Sequence, residues 1–103
     1  MIRVVAILTA KPGRRVELLK LFRANMPAVH AEQGCVEYQP FVDADAGFGG
    51  FQAPVGADAF VVLETWESAD ALKAHAAAPH MTAYGKASKD LIESRKIHIF
   101  QPA

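Results

Sequence analysis

This 103-residue chain has no net charge, very little cysteine and no long apolar run. Eleven Lys and Arg residues balance eleven Asp and Glu residues, so no excess of positive charge is available to attract nucleic acid or an anionic membrane. Cys35 is the single cysteine, which excludes an intrachain disulfide and favours the reducing cytoplasm. No segment approaches the roughly 20 apolar residues that a membrane-spanning helix needs. Met1 leads directly into a strand pattern, so we expect no signal peptide.

Motifs for nucleotide binding and for nucleophilic catalysis are also missing. The glycine-rich segment 47–50 lacks a third glycine at the spacing that a dinucleotide fingerprint needs, and no helix is predicted directly after it. No Gly-x-Ser-x-Gly elbow is present, and no base is placed beside Cys35 by any sequence cue. These absences predict a protein that works without a bound nucleotide.

The first half of the chain predicts a strand followed by a helix. Residues 2–9 are nearly all apolar and rich in β-branched side chains, a pattern typical of a strand buried on both faces. A helix is predicted from Arg14, and Pro27 should kink or end it, with another turn over 28–33. Gly34 is a plausible left-handed stop. The apolar stripe of this helix comprises Val16, Leu19, Phe22 and Met26, widened by Leu18 and Leu21.

A second strand, a loop and a third strand follow. Residues 35–43 alternate well enough for a strand, and Pro40 within it indicates an edge position or a bulge. Residues 44–57 carry four glycines and one proline, which predicts a long loop. Residues 59–66 are typical of a buried third strand.

The last third of the chain predicts two helical segments and a final strand. Ser68 is a good N-cap for a helix over 69–77. Pro79 begins a new helical segment, which we run over 80–93, and residues 95–100 close the chain as a fourth strand. The inner side of the second segment is marked by Met81, Tyr84 and Leu91.

This order predicts an α+β fold, a ferredoxin-like βαββαβ sandwich in a single domain over residues 1–103. Its helices can cover only one face of the sheet. The first strand nevertheless presents Val4 and Leu8 on one face and Val5 and Ile7 on the other. A second copy packing sheet to sheet would bury the remaining apolar face, so we expect a homodimer.

The unit from Glu64 to His80 carries the strongest candidates for a functional site. Glu64 and Trp66 lie two residues apart in a strand and therefore share a face. Trp66, the only tryptophan, either fills core volume or forms a pocket wall that stacks on a flat substrate. Because Ser68 turns the chain at once into a helix, His75 should fold back over the same face. We expect Glu64, Trp66 and His75 to line one cavity together with Tyr38.

Both His75 and His80 can be read in two ways. Each is either a satisfied structural histidine or a base, since imidazole titrates near neutral pH. Their spacing would put them about 140° apart on one helix, and Pro79 breaks that helix. No cysteine or paired carboxylate is placed to complete a metal site, so we predict that no metal is required. His75 is the first candidate base and His80 the second.

Other aromatic and histidine side chains are ambiguous from sequence alone. Tyr38 and Tyr84 are either core tyrosines with satisfied hydroxyls or hydrogen-bond partners of a substrate oxygen. His30 is predicted on the helix surface or at a pocket rim, and His98 on one face of the last strand.

Taken together, five short segments resemble the antibiotic biosynthesis monooxygenase (ABM) family over roughly residues 2–93. This resemblance implies a dimeric α/β barrel, and many family members oxidise quinol-like substrates without a cofactor. The chain departs from the family in its longer, glycine-rich loop 44–57, which has the length to shape or cover a pocket. The segments are Ala10-Lys11-Pro12-Gly13, Leu18-Leu19, Glu32-x-Gly34-Cys35-x-x-Tyr38, Glu64-x-Trp66-x-Ser68 and His75-x-x-x-Pro79-His80.

The resemblance admits more than one chemistry. The haem-degrading branch shares the Trp66 and His75 pattern but needs an asparagine in the first strand, and residues 2–9 contain none. A branch that isomerises a phosphorylated sugar shares the His-x-x-x-Pro-His pattern. We expect a cofactor-independent monooxygenase acting on a small aromatic or quinol substrate with molecular oxygen. The alternatives are an isomerase of a small phosphorylated or dicarbonyl metabolite and a non-catalytic dimer that binds small molecules.

Overall fold

The computed structural model describes residues 1–103 and confirms the ferredoxin-like α+β order. Four strands form one antiparallel sheet, in which the first and third strands of the chain are central and the second and fourth are at the edges. No helix combines the length and the apolar character that crossing a membrane would require. The elements are β1 (Ile2–Ala10), α1 (Arg15–His30), β2 (Cys35–Phe41), β3 (Ala59–Trp66), α2 (Ala69–Ala77), α3 (Pro79–Ser88) and β4 (Ile92–Phe100), with short 3-10 turns at Gly49–Phe51 and Lys89–Leu91.

The two faces of the sheet differ in burial. Alternate residues of β1, from Val4 to Ala10, are buried together with Phe60 and Val62 of β3 in the core that the helices cover. The intervening residues are only half-buried and include Val5, Ile7, Val61 and Leu63. A single copy of the chain therefore leaves one apolar sheet face partly exposed, and β1 is buried on one face rather than on both.

Helix α1 differs from its prediction in three respects. It runs without a break through Pro27 to His30, although Pro27 has no N–H to donate to the carbonyl of Arg23. Val16 is 77% exposed and does not belong to the buried stripe. Gly34 has the predicted left-handed conformation, with φ +85°, but α1 ends earlier, at His30 with Ala31 as its C-cap, so Gly34 turns the chain into β2 and does not end the helix. A Cβ on Gly34 would lie 2.6 Å from that of Ala71. This close approach fixes the α1–β2 turn against α2.

The remaining strands and caps largely follow the sequence pattern. Strand β2 is an edge strand, as Pro40 indicated, although it ends at Phe41. The Ser68 hydroxyl accepts a hydrogen bond from the backbone N–H of Ala71 at 3.1 Å, which confirms the predicted cap of α2. Both oxygens of the Asp43 carboxylate accept backbone N–H groups, from Val55 and Gly56, so they close the base of the long loop.

The end of α3 was predicted too late. The helix stops at Ser88 and β4 begins at Ile92, rather than at 93 and 95. The buried Ser88 hydroxyl donates to the carbonyl of Tyr84 at 2.7 Å, a local bond that competes with helix continuation. Lys11 N–H donates to the carbonyl of Leu91 at 2.8 Å. This long-range bond starts β4 early.

Candidate functional site

A cavity of about 320 Å³ lies between the sheet and helices α2 and α3. One row of paired residues crosses the sheet beneath it, from Tyr38 through Glu64 and Val4 to Ile99. Phe22 and other apolar side chains supply most of the remaining lining. The cavity therefore has an apolar body with its ionisable groups confined to a few positions.

Strand β4 forms the open side of this cavity. Ile97 and Ile99 are 55% and 60% exposed, although both line the cavity. Arg95 lies on the same face of β4 and makes no salt bridge within the chain. It is the only Lys or Arg side chain in the lining, so it can bind an anionic group of a ligand.

Glu64 and Trp66 lie on the same face, as predicted, but only Glu64 lines the cavity. Trp66 is fully buried, and its indole N–H donates to Glu64 Oε1 at 2.9 Å. The expectation that Trp66 forms a wall of the cavity is therefore wrong, because the indole lies beneath the groups that do. Burial raises the pKa of Glu64, opposed by this hydrogen bond and by nearby His75.

His75 lines the cavity and is 6% exposed. Its ring packs on Trp66, with centroids 4.6 Å apart, and meets Tyr38 at 5.4 Å with an interplanar angle of 64°. Its Nδ1 lies 2.8 Å from Glu32 Oε2. Since a carboxylate accepts, neutral His75 carries its proton on Nδ1, which leaves the Nε2 lone pair for a ligand. Glu32 therefore fixes the orientation and the tautomer of the His75 ring.

His80 contacts the same carboxylate oxygen as His75. Its Nε2 is 2.8 Å from Glu32 Oε2, and its side chain is 29% exposed. It does not line the cavity, so a direct role as base has no geometric support.

The prediction that the two histidines lie apart without a carboxylate partner is wrong. Ala78 is extended (ψ 140°) and separates α2 from α3, so each histidine belongs to its own helix and both point at Glu32. The three side chains form a group that could hold a metal ion.

The two tyrosines contribute hydroxyl groups to the site. Tyr38 stacks on Phe22 at 5.1 Å, and burial strongly raises the pKa of its phenol, so it stays protonated. The Tyr84 hydroxyl is buried without a hydrogen-bond partner although the residue lines the cavity. Burial also raises the pKa of Tyr84, and Arg95 opposes the shift. Because buried polar groups in native proteins are usually paired, this hydroxyl is available to a ligand.

Three further predictions concern residues outside the cavity. His30 is on the exposed surface of α1, and its Nε2 lies 2.9 Å from the carbonyl oxygen of Tyr38. His98 is on β4, stacked on Phe100. No residue of the loop 44–57 lines the cavity, so its expected role in shaping or covering this pocket is not seen.

Sequence reasoning missed the roles of Glu32 and Arg95. Glu32 is 43 residues from His75 and 48 from His80, so no local spacing joins them. The available signal was its place two residues before Gly34, at a turn between a helix and a strand. Arg95 alternates with Ile97 and Ile99, which indicated a shared face but not a cavity.

Comparison with known proteins points to one family. The family model described as antibiotic biosynthesis monooxygenase matches residues 1–87. The Escherichia coli (strain K12) protein named "Probable quinol monooxygenase YgiN" is 39% identical over 104 residues, covering 99% of this chain and 98% of that protein.

Solved structures share the fold. The crystal structure of PA3566 from Pseudomonas aeruginosa superposes with a TM-score of 0.81 at 24% identity, covering 99% of this chain and 93% of that one. Rv0793 from Mycobacterium tuberculosis gives 0.80 at 24% identity, covering 99% and 94%.

Proposed function

Because the chain belongs to the antibiotic biosynthesis monooxygenase family, we propose that it oxidises small quinol-type aromatic substrates with molecular oxygen and without a cofactor. The observation that carries this proposal is the polar end of the cavity. There, His75 is buried, held by Glu32 and left with one ring nitrogen for a substrate. A base in an apolar pocket is what oxidation of a phenolic substrate requires.

The lining favours a small, flat and weakly acidic substrate. A volume of about 320 Å³ lies near the lower limit of small-molecule pockets, which span about 300–1,000 Å³. Apolar side chains contact the rings, while Arg95 and the unpaired Tyr84 hydroxyl bind one oxygen. A second oxygen at the other end of the molecule lies against His75. A para-quinol presents two oxygens in this way.

The first step is removal of a phenolic proton by His75 Nε2. The Glu32 carboxylate stabilises the imidazolium through Nδ1–H. The cavity then holds a quinol anion, whose charge Arg95 and the tyrosine hydroxyls offset. This step matters because triplet oxygen reacts slowly with closed-shell molecules, whereas an electron-rich anion can transfer a single electron to it.

The oxygen steps balance without any added reductant. One electron passes from the anion to O₂, and the resulting semiquinone and superoxide combine at a ring carbon that carries hydrogen. Protonated His75 supplies the proton of the hydroperoxide. Removal of the ring C–H proton then breaks the O–O bond and releases hydroxide, which leaves as water. One quinol and one O₂ give one hydroxyquinone and one water.

Oxygen uptake with a panel of dihydroquinones tests this function. Chelator-treated protein should consume oxygen above the rate of spontaneous oxidation, and ¹⁸O₂ should place one labelled oxygen in the product. His30→Gln should behave as wild type. Substrate proton exchange without oxygen uptake would support the isomerase instead, and ligand-induced stabilisation without either reaction would support a non-catalytic binding protein.

The uncovered sheet face supports a homodimer. Val5, Ile7, Val61 and Leu63 form an apolar patch that no helix of the same chain covers. A second copy would remove this patch from water and complete the dimeric barrel. Sedimentation should give a dimer at micromolar concentration, and Ile7→Asp should dissociate it, since a buried unpaired carboxylate is unfavourable.

The single cysteine supports a cytoplasmic location.

A further inference from the structure

Glu32, His75 and His80 form a cluster behind the wall of the cavity. Their three ligand atoms lie within 4.8 Å of one another. The two imidazole nitrogens each lie 2.8 Å from the same carboxylate oxygen, Glu32 Oε2. The side chains of Glu32 and His75 are 12% and 7% exposed, so both are largely shielded from water.

Two imidazoles and one carboxylate are the donor set of a three-ligand zinc site with an open fourth position. Imidazole nitrogen suits zinc and its first-row neighbours, whereas Mg²⁺ and Ca²⁺ prefer oxygen ligands. We propose that Glu32, His75 and His80 form a binding site for a divalent transition-metal ion of the zinc class.

Coordination requires all three side chains to adjust. Ligands of a tetrahedral zinc ion lie about 3.3 Å apart when each bond is about 2.0–2.1 Å. The two contacts with the carboxylate oxygen are 2.8 Å, so Glu32 must move back to make room for the ion, while the two ring nitrogens, which lie within 4.8 Å of each other, turn toward it. His80 is 29% exposed and gives the ion a route from solvent. Nδ1 of His75 faces the cluster, so the ion binds outside the substrate cavity.

Metal binding has a consequence for His75 that rests on the proposed function. An ion on Nδ1 replaces the proton there, so the neutral ring must carry its proton on Nε2. Nε2 of His75 then presents an N–H donor to the cavity in place of a lone pair. The metal-bound protein lacks its base, so zinc acts as a reversible inhibitor rather than as a cofactor.

Binding is tested with Co²⁺, whose visible absorption reports coordination whether or not the protein is active. Wild type should bind one Co²⁺ per chain, and Zn²⁺ should displace it while Mg²⁺ should not. His80→Gln should weaken binding at least tenfold, because even loss of an outer partner lowers metal affinity about 10–100-fold. Glu32→Gln should do the same. His98→Gln, which removes a histidine outside the cluster, should leave affinity unchanged.

Thermal unfolding supplies a second readout. Zn²⁺ should raise the midpoint temperature of unfolding of wild type and of His98→Gln but not that of His80→Gln. An ion that binds the folded state stabilises it, and His80→Gln lacks one of the ligands. His80 is on the surface side of the cluster, so this variant should fold even if Glu32→Gln does not. Absence of Co²⁺ binding, or equal binding by wild type and His80→Gln, would overturn the site. Stoichiometric binding without inhibition by zinc would leave the site standing and refute the role of His75 as base.

Discussion

The two ends of the cavity are built differently. At the end formed by β2, β3 and α2, Glu64 and His75 are buried, and each is held by a specific partner, Trp66 or Glu32. At the β4 end, Ile97 and Ile99 are largely exposed and Arg95 has no salt bridge. The closed end is organised before any ligand arrives, whereas the open end needs a ligand to complete its contacts.

Coverage by helices explains this difference, since both β2 and β4 are edge strands of the sheet. Strand β3 lies inside the sheet, between β2 and β1, and its inner face is covered by helices. Strand β4 is at an edge, and α3 ends at Ser88 before the chain enters it. We infer that proton transfer belongs to the closed end and that recognition of the substrate oxygen belongs to the open end.

Removal of the base should have the largest effect. His75→Ala is expected to lower kcat by about 10²-fold or more, the usual contribution of a general base. Circular dichroism should show a folded protein. The matched control is His30→Ala, which removes an exposed histidine and should retain full turnover. Wild-type turnover in His75→Ala would show that His75 is not the base and that proton transfer does not take place at the closed end.

Loss of the cation at the open end should affect binding. Arg95→Gln is expected to raise KM about tenfold with a smaller change in kcat, because a hydrogen bond to a charged group contributes about 1.5–3 kcal/mol. Lys96→Gln alters the next residue of β4, on the opposite face, and should leave KM unchanged. Equal KM values for the two variants would show that Arg95 does not bind the substrate.

Trp66→Phe should act on stability more than on substrate binding. The change leaves a void in the core and removes the donor that pairs with Glu64 Oε1, so we expect a loss of about 2 kcal/mol in the free energy of unfolding. KM should stay within about twofold of wild type, because Trp66 does not line the cavity. Denaturant unfolding and steady-state kinetics measure both quantities. If Trp66→Phe raised KM without changing stability, the indole would have to stack directly on the substrate.

Glu64→Gln should produce the smallest effect, and it should depend on pH. Burial raises the pKa of Glu64 above its ordinary value of 4.5. The folded protein therefore holds the Glu64 proton more tightly than the unfolded chain does. This difference stabilises the fold fully below the pKa of Glu64 in the unfolded state, and the stabilisation is lost as pH rises through its pKa in the folded state. Glutamine cannot ionise and can still accept from Trp66.

Thermal unfolding as a function of pH checks this. The Glu64→Gln midpoint should match wild type near about pH 4, close to the unfolded pKa, and exceed it increasingly at higher pH. Glu67→Gln, which alters an exposed carboxylate, should show no such trend. A wild-type protein more stable than Glu64→Gln at neutral pH would contradict the direction of the pKa shift.

Local signals in the sequence specified most of the fold. Apolar runs located β1 and β3, Ser68 marked the cap of α2, and Gly34 marked the left-handed turn before β2. Alternation in β3 also placed Glu64 and Trp66 on one face. Each of these features depends on interactions between residues close together in the chain, which is why spacing and residue type are sufficient to predict them.

Tertiary structure decided which side chains contact one another in the site. Sequence spacing suggested that His75 and His80 point apart, but the extended Ala78 divides their helices and Glu32 joins them from a distant turn. The early start of β4 likewise depends on the hydrogen bond that the Lys11 N–H donates to the carbonyl of Leu91. Burial of Trp66 beneath the cavity wall follows from the packing of α2 over β3. These features rest on contacts between segments far apart in sequence, and only the assembled sheet and helices bring such segments together.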